Sequence, residues 1–198
     1  ALALVRRLPE TALKSGLESI LTYFTKNVLL SRLLLGGNVD NNRVTCHMVA
    51  DPNATIEVER TKLVPRPSVY AIIRKDDGLL MVRGANQGRL FLPGGGVEPG
   101  ETFEHALRRE VWEETGLEIV SMIFWGEREN FVYYEAEDTY WHVFLQIYIC
   151  EVEDLQAPIT NTNNPDNEGQ PEWIDLRCVQ IGELKNIAQT IVWDVMDF

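Results

Sequence analysis

Apolar residues recur along this chain at two spacings, and each spacing predicts a kind of element. Branched and aromatic residues concentrate in four runs that predict strands, at residues 68–74, 79–83, 118–127 and 139–151. The Lys-Asp-Asp-Gly sequence at 75–78 predicts a hairpin turn between the first two of these runs. A polar loop then leads to a short final strand, expected at 173–176.

Apolar residues at helical spacing occur in three further segments. The first covers 13–28, with Thr11 as the expected N-cap. The second follows a Pro-Gly-Glu turn at 99–101 and stops at Gly116. The third covers 181–196. Because helices flank the strands on both sides, the expected fold class is α/β, an α/β/α sandwich with a mixed sheet.

The first third of the chain differs in character from the rest. We expect residues 1–64 to form an N-terminal extension, with an amphipathic helix and two short strands around the turn at 51–53, and residues 65–198 to form the main domain. The amphipathic helix is expected to pack on the main domain or on a second copy of the chain, which would make a homodimer. Its charged residues leave no apolar run long enough for a membrane span.

Three glutamates occupy an unusual position on the second predicted helix. At about 100° per residue, Glu110, Glu113 and Glu114 fall within an arc of roughly 100° that continues the buried apolar stripe. Like charges at this spacing destabilise a helix, and glutamates near its C-terminus also oppose the helix dipole. A bound divalent cation would relieve both effects, and clustered carboxylate oxygens suit Mg²⁺ or Mn²⁺. The alternative is a solvated surface pair of glutamates.

The segment around these glutamates matches a known signature. Residues 95–117, GGVEPGETFEHALRREVWEETGL, complete the pattern G-x5-E-x7-R-E-U-x-E-E-x-G-U, where U is a bulky apolar residue. The segment resembles the signature of the Nudix hydrolases at every specified position. The resemblance implies an enzyme that hydrolyses the pyrophosphate bond of a nucleoside diphosphate linked to a further group. It covers about two thirds of the chain, and the first sixty or so residues have no counterpart.

The resemblance also implies a role for each residue of the motif. The expected cofactor is Mg²⁺, with Mn²⁺ as an alternative, and the implied metal ligands are Glu110, Glu113, Glu114 and the carbonyl of Gly94. Glu114 is expected to take part in catalysis as well. Arg109 and Glu101 would support the helix and the loop, although an ordinary salt bridge would also explain that pair.

A second, shorter stretch resembles MutT-type nucleotide pyrophosphohydrolases. Residues 168–171 read Glu-Gly-Gln-Pro, and such enzymes carry a very similar stretch before their last strand. This resemblance makes Glu168 the candidate general base, because a loop carboxylate can reach the attacking water. A solvated loop acid is the alternative reading. Other candidate bases lie around the preceding strand connection, at Glu127, Glu129, Glu135 and Glu137.

Two patterns in the sequence bear on the identity of the substrate. Tyr133 and Tyr134 lie where diadenosine-polyphosphate hydrolases of this superfamily carry a base-stacking tyrosine, and Asn186 could read a purine edge. The Glu-Gly-Gln-Pro stretch instead favours a nucleoside triphosphate, ordinary or oxidised, cleaved to monophosphate and pyrophosphate. The alternatives are a dinucleoside polyphosphate, nucleotide-sugar or ADP-ribose hydrolase, or a non-catalytic nucleotide-binding domain.

Composition limits the partners of the chain. Its 198 residues include 18 Lys and Arg against 30 Asp and Glu, a net charge of −12, which disfavours binding to nucleic acid or to an anionic membrane. The expected partner is the small nucleotide that the Nudix resemblance implies. Its three cysteines form no paired spacing, which favours reduced thiols and a cytoplasmic location.

Overall fold

The computed structural model describes residues 42–51, 53–84, 88–160, 169–175 and 177–178. Two of the predicted helices, at 13–28 and 181–196, lie outside the described residues. So do two candidate site residues, Glu168 and Asn186. No helix in the described ranges is long and apolar enough to cross a membrane.

Six strands form a mixed sheet in the order β2-β1-β8-β9-β3-β7. Their bounds are Arg43–Met48 (β1), Thr55–Glu59 (β2), Leu63–Ile72 (β3), Gly94–Gly96 (β7), Ile119–Tyr134 (β8) and Thr139–Val152 (β9). β1 runs parallel to β8 and β9 runs parallel to β3, whereas the other neighbours are antiparallel. The two strands expected around the turn at 51–53 are thus confirmed, and they extend this sheet at the outer side of β8.

A smaller sheet contains the predicted hairpin. Its strands run in the order β10-β5-β4, with β6 also paired to β5, and their bounds are Arg74–Lys75 (β4), Gly78–Gly84 (β5), Leu90–Phe91 (β6) and Gly169–Asp175 (β10). The turn at 75–78 is confirmed: Lys75 pairs with Gly78, and Asp76 takes the left-handed conformation at φ 52°. Aspartate tolerates this conformation better than most residues, which explains its position in the turn.

The strand expected at 68–74 begins earlier, at Leu63. Two other strand predictions placed a boundary wrongly beside a polar segment. The strand expected at 118–127 continues to Tyr134, because its pairing with β9 extends across the polar residues that had suggested a connection. The last strand begins at Gly169 rather than at 173, so the Gly-Gln-Pro residues lie in β10 and not in a loop. There Gly169 pairs with Gly84, and a Cβ at Gly169 would lie 2.5 Å from the carbonyl oxygen of Arg83. Long-range pairing overrides the local turn signal in both cases.

The motif helix is α1, Phe103–Thr115, which confirms the helix predicted between the turn at 99–101 and Gly116. The Thr102 hydroxyl accepts a hydrogen bond from the His105 amide at 3.2 Å, which caps the first turn. Gly116 ends the helix in the left-handed conformation at φ 73°, where a residue with a side chain would be strained. Both ends of the helix are therefore fixed by local sequence.

Strand β3 separates two apolar clusters, because its alternate side chains point to opposite faces. Val69 and Ala71 pack on the apolar side of α1, together with Ala106, Leu107 and Val111. Ile72 packs on the other face in a cluster with Leu79, Met81, Leu90, Leu92 and Ile147. The smaller sheet supplies much of this second cluster. The end of β3 is thus held from both sides, and β7, which pairs with it, acquires a fixed position beside α1.

Candidate metal and pyrophosphate site

The last turns of α1 bring acidic side chains against the glycine strand β7. Glu114 is only 3% exposed, and its Oε2 accepts a hydrogen bond from the Gly94 amide at 2.8 Å. Burying an ionised carboxylate is costly unless it is hydrogen-bonded, and this backbone donor offsets part of that cost. The sequence placed Glu114 on the buried stripe of the helix, and the structure confirms its burial.

Arg109 connects the loop before α1 to the helix itself. Its Nε and Nη2 donate to the two carboxylate oxygens of Glu101 at 2.8 and 2.9 Å, a bidentate pair, and Nη2 also donates to the Gly96 carbonyl at 3.1 Å. Its Nη1 lies 3.0 Å from Glu110 Oε1 and 3.3 Å from Glu113 Oε2. One guanidinium therefore serves three carboxylates and a backbone carbonyl.

Charge pairing shifts the titration of this network. The hydrogen bonds from Arg109 lower the pKa of Glu101 to about 2, against the opposing effect of desolvation. The same contact with Glu101, together with the field of Glu110, holds the pKa of Arg109 above its ordinary value. The Glu98 amide donates a further hydrogen bond to Glu101 at 3.0 Å. Glu101 consequently stays ionised well below neutral pH.

The three helix glutamates are neighbours but have different partners. Glu110 and Glu113 turn toward Arg109, whereas Glu114 turns toward Gly94. Across the described ranges, no three carboxylate, imidazole or thiol groups converge on one point as a ready-made metal cluster. The repulsion expected from the sequence is relieved here by one arginine and one backbone amide.

The three glycines of β7 allow side chains to approach from both faces. A Cβ at Gly95 would lie 2.6 Å from Glu110 Oε1, and a Cβ at Gly94 would lie 2.1 Å from the Val69 carbonyl oxygen, with φ at 140°. Ala71 donates to the Pro93 carbonyl and Val97 to the Pro67 carbonyl. By the alternation of an antiparallel pair, the carbonyl of Gly94 therefore points away from β3. The role of this carbonyl as a metal ligand stays a prediction.

The two candidate tyrosines lie on opposite faces of β8. Tyr133 stacks on Tyr140 with ring centroids 4.6 Å apart, and its hydroxyl donates to Asp138 Oδ1 at 2.9 Å. Tyr134 stacks on Trp141 at 4.8 Å. Because strand residues alternate between faces, the sheet cannot bring both tyrosines to one ligand. Both rings already have an aromatic partner, so their substrate-binding role stays a prediction.

Arg66 on β3 was not among the site residues predicted from the sequence. Its guanidinium carbon lies 4.0 Å from the centre of the Trp141 ring, on the face of the sheet that also carries Tyr134. A Cβ at Gly96 would lie 3.1 Å from Arg66 Nη2, so the glycine strand makes room for this side chain. Only the pairing of β3 with both β7 and β9 brings these residues together, and no local pattern reports such pairing.

Two of the four alternative bases have partners that reduce their freedom. The Glu129 carboxylate pairs with the His142 ring, and the Glu135 carboxylate accepts from the Ala50 amide at 3.1 Å. Glu127 is exposed on β8, and Glu137 is exposed in the turn before β9. Glu168, the first candidate, lies outside the described residues directly before Gly169. The choice of base therefore stays a prediction.

Comparison with known proteins agrees with this geometry. The family model described as the NUDIX domain matches residues 64–192, which is most of the chain. A segment of 72 residues is 52% identical to a protein named nucleoside triphosphatase NudI from Enterobacter sp. strain 638, covering 33% of this chain and 51% of that protein. A 61-residue segment is 48% identical to an ADP-ribose pyrophosphatase from Methanocaldococcus jannaschii, covering 29% and 36%. The chain thus spans about half the length, or less, of these relatives.

Solved structures show the same architecture. A MutT Nudix hydrolase from Burkholderia pseudomallei superposes with a TM-score of 0.55 and 21% sequence identity, over 67% of this chain and 98% of that one. Likeness at this identity shows a shared fold, and it confirms the α/β/α class expected from the sequence. With the complete motif on α1 and a family model that covers most of its length, this chain belongs to the Nudix hydrolase family.

Proposed function

We propose that this protein hydrolyses the pyrophosphate bond of a nucleoside diphosphate derivative, in a reaction that depends on a divalent metal ion. One observation carries the proposal: the carboxylates of the buried Glu114 and of Glu110 lie against a strand made only of glycine, and Glu113 shares Arg109 with Glu110. A phosphate chain needs close approach, positive charge and fixed geometry. A strand without side chains allows the close approach directly. The carboxylates beside it would provide the positive charge by binding a metal cation.

The residues present fit Mg²⁺, or alternatively Mn²⁺. Both ions prefer hard oxygen ligands, and the available donors are the carboxylates of Glu110, Glu113 and Glu114 and the carbonyl of Gly94. The absence of a Cβ at Gly95 is what allows the Glu110 carboxylate to lie at the strand. A cation held there would neutralise phosphate oxygens and lower the pKa of the attacking water.

The chain's own residues fix the geometry of the site. Arg109 ties the loop at Glu101 to the carbonyl of Gly96 and to the helix that carries the glutamates. Since the Arg109 and Glu101 side chains are only 25% and 20% exposed, solvent competes little for these contacts. We assign to both a positioning role, in which they hold the helix and the glycine strand in register.

We assign general-base catalysis to Glu168. Its sequence neighbour Gly169 is buried and held closely against β5. Replacement of Glu168 by Gln should lower kcat by roughly 10²–10⁴, with little change in metal affinity, because it removes proton abstraction only. The matched controls are Glu127→Gln and Glu137→Gln. A silent Glu168→Gln beside a strong effect at either control would move the base to β8 or its turn.

The substrate we favour is a nucleoside triphosphate, ordinary or oxidised, cleaved to a monophosphate and pyrophosphate. The Glu-Gly-Gln-Pro stretch supports this choice, as does similarity to a relative named as a nucleoside triphosphatase. Similarity to a relative named as an ADP-ribose pyrophosphatase keeps that substrate as the second candidate. Tyr134 and Asn186 are the proposed base contacts, and the expected partner remains a small nucleotide.

A substrate panel tests this function. Wild-type protein is mixed with Mg²⁺ and, separately, with nucleoside triphosphates, oxidised deoxynucleotides, dinucleoside polyphosphates, ADP-ribose and nucleotide sugars. Products are identified by chromatography, and triphosphates should give monophosphate and pyrophosphate. Turnover of another class alone would change the substrate and keep the chemistry. If metal binding and turnover are both absent throughout, the domain is a binding module.

A further inference from the structure

Arg66 lies on the opposite side of the glycine strand from the metal-site carboxylates. Gly95 and Gly96 are consecutive residues of β7, so their missing side chains would point to opposite faces. On one face the vacant Cβ position of Gly95 meets the Glu110 carboxylate, and on the other that of Gly96 meets the Arg66 guanidinium. The two Cα atoms are only about 3.8 Å apart. A single backbone strand thus separates the Arg66 guanidinium from the Glu110 carboxylate.

Trp141 fixes the orientation of Arg66. It lies on β9, between Tyr134 on β8 and Arg66 on β3, and it stacks with both. Stacking on an aromatic ring restrains a guanidinium. Its N–H groups point outward in the plane of the guanidinium and stay available as donors. Among the described residues no carboxylate pairs with Arg66. A fixed arginine with available donors is suited to bidentate contact with a phosphate.

The surrounding charge explains why such a cation would be useful. The chain carries a net charge of −12, and the carboxylates around Arg109 occupy that arginine fully. An anionic substrate approaching the glycine strand therefore meets Arg66 as a positive group that is not already engaged by those carboxylates. Electrostatic attraction at this position would favour the phosphate chain and oppose neutral ligands.

We propose that Arg66, oriented by Trp141 and admitted by Gly96, binds a non-bridging phosphate oxygen of the substrate and so sets affinity for the pyrophosphate chain. This inference rests on the proposed function, since it names a substrate-binding residue for the same site. The contact between Arg66 and the phosphate is made in the enzyme–substrate complex as well as in the transition state. Loss of the contact therefore raises KM more than it lowers kcat.

Steady-state kinetics on four variants test the assignment. Arg66→Gln should raise KM about 10-fold or more, the usual scale for a charge-assisted hydrogen bond, and should change kcat only slightly. Arg66→Lys keeps the charge but loses the planar pair of N–H donors, so its KM should lie between the KM of the wild type and that of Arg66→Gln. Trp141→Leu should also raise KM, because it releases Arg66. The matched control is Arg60→Gln, which removes an exposed arginine stacked 5.7 Å from Phe131 and should leave KM unchanged.

A double-mutant cycle adds a readout that a general loss of stability would not produce. In Gly96→Ala the new Cβ displaces the Arg66 guanidinium, so this variant should also raise KM. If Arg66 is the cause, Gly96→Ala should have little further effect in an Arg66→Gln background. Full additivity, or an unchanged KM in Arg66→Gln, overturns the proposal.

Calorimetric titration with inorganic pyrophosphate and Mg²⁺ separates this proposal from the proposed function. Arg66→Gln should weaken pyrophosphate binding about 10-fold, as KM does, whereas Arg60→Gln should not. If the wild type turns over no nucleotide but pyrophosphate binding still depends on Arg66, the catalytic proposal fails and this one stands. If turnover is normal but pyrophosphate binding does not depend on Arg66, the catalytic proposal stands and the Arg66 proposal fails.

Discussion

The glycine–helix segment (residues 94–116) and the hairpin end (residues 128–144 of β8, β9 and their turn) are built on different principles. In the first, a buried carboxylate and an arginine are each held by particular backbone groups. In the second, aromatic rings stack in pairs across the strands, as Phe131 does on His142 and Tyr134 on Trp141. Neither ring of a pair depends on a single hydrogen bond for its position.

This difference predicts how each region responds to change. A carboxylate that must meet a cation tolerates little displacement, because electrostatic energy and reaction geometry are steep functions of position. Stacked rings on a sheet contribute about 0.5–1.5 kcal/mol per pair beyond burial, and a neighbour partly replaces what is lost. Single substitutions should therefore change chemistry in the glycine–helix segment and mainly stability in the hairpin end.

The largest effect is expected at Glu114. Glu114→Gln keeps the size of the side chain and its acceptor for the Gly94 amide, but removes the charge proposed to bind metal. The fold should persist and kcat should fall about 10³-fold or more, with the same result for Glu113→Gln. Activity assays with metal titration measure this. The control is Glu118→Gln, an exposed acid just after the helix, and near-wild-type turnover in both site variants would refute the metal assignment.

A smaller loss is expected when only position changes. In Gly95→Ala the new Cβ would lie 2.6 to 2.9 Å from the carboxylate atoms of Glu110, so that side chain must move away. A displacement of about 1 Å at a reacting centre can cost roughly 10² in rate. Turnover should fall on that scale while the thermal midpoint changes little. Gly100→Ala is an unsuitable control, because Gly100 has a positive φ that strains a residue with a side chain. The control is Ala136→Gly in the turn before β9, which also changes a single methyl group but at an exposed position far from the site.

The pH dependence of stability distinguishes a half-buried ion pair from an exposed one. The folded-state pKa of Glu101 is lowered to about 2 by Arg109, so its stabilisation is complete above about pH 4.5 and is lost as the pH falls toward 2. Asp175 has its pKa lowered to about 2 by Arg177, but that arginine is 69% exposed. Denaturant titrations should show a smaller acid-induced loss in Glu101→Gln than in wild type.

High salt sharpens this comparison. Screening should abolish the contribution of the exposed Asp175 pair and leave most of that of the Glu101 pair. Asp175→Asn is the matched variant, and it should change the acid profile less than Glu101→Gln does. Equal effects of the two variants at high salt would mean that the Arg109 network is no more protected than a surface pair.

The smallest effects are expected at the two tyrosines. Tyr134→Leu removes one of the two partners of Trp141, so KM should rise a few-fold through the looser position of Arg66. Tyr133→Leu acts on the opposite face and should leave KM unchanged while lowering stability by about 1 kcal/mol. Parallel measurements of KM and thermal unfolding test this, and a larger KM effect at Tyr133 would contradict the assignment of the faces.

Local sequence determined the parts of the fold that short-range interactions control. The ends of α1 follow from Thr102 and Gly116, and the turn at 75–78 follows from Asp76 and Gly78. Strand ends were harder, since β8 and β10 both extend through residues that resemble a turn. In each case a paired neighbour stabilises an extended conformation that the residues would not favour alone.

The motif itself identified most of the residues of the candidate metal site. Arg109 and the three helix glutamates are close together in sequence, so the helical period alone places them on one side of α1. The bidentate geometry of Arg109 with Glu101 was not readable, because it depends on how the preceding loop folds back. Arg66 and Trp141 were also missed, because their contact depends on pairing between strands that are far apart in sequence.

The sequence by itself determined which groups are available for chemistry: three carboxylates on one predicted helix, a run of glycines before it and the arginine between them. Tertiary structure alone decided what approaches that strand from each face. Gly95 meets Glu110 and Gly96 meets Arg66 because β7 pairs with β3, and Arg66 meets Trp141 because β3 also pairs with β9. Helical neighbours are set by a fixed repeat along the chain, whereas partners across a sheet are set by register between distant segments.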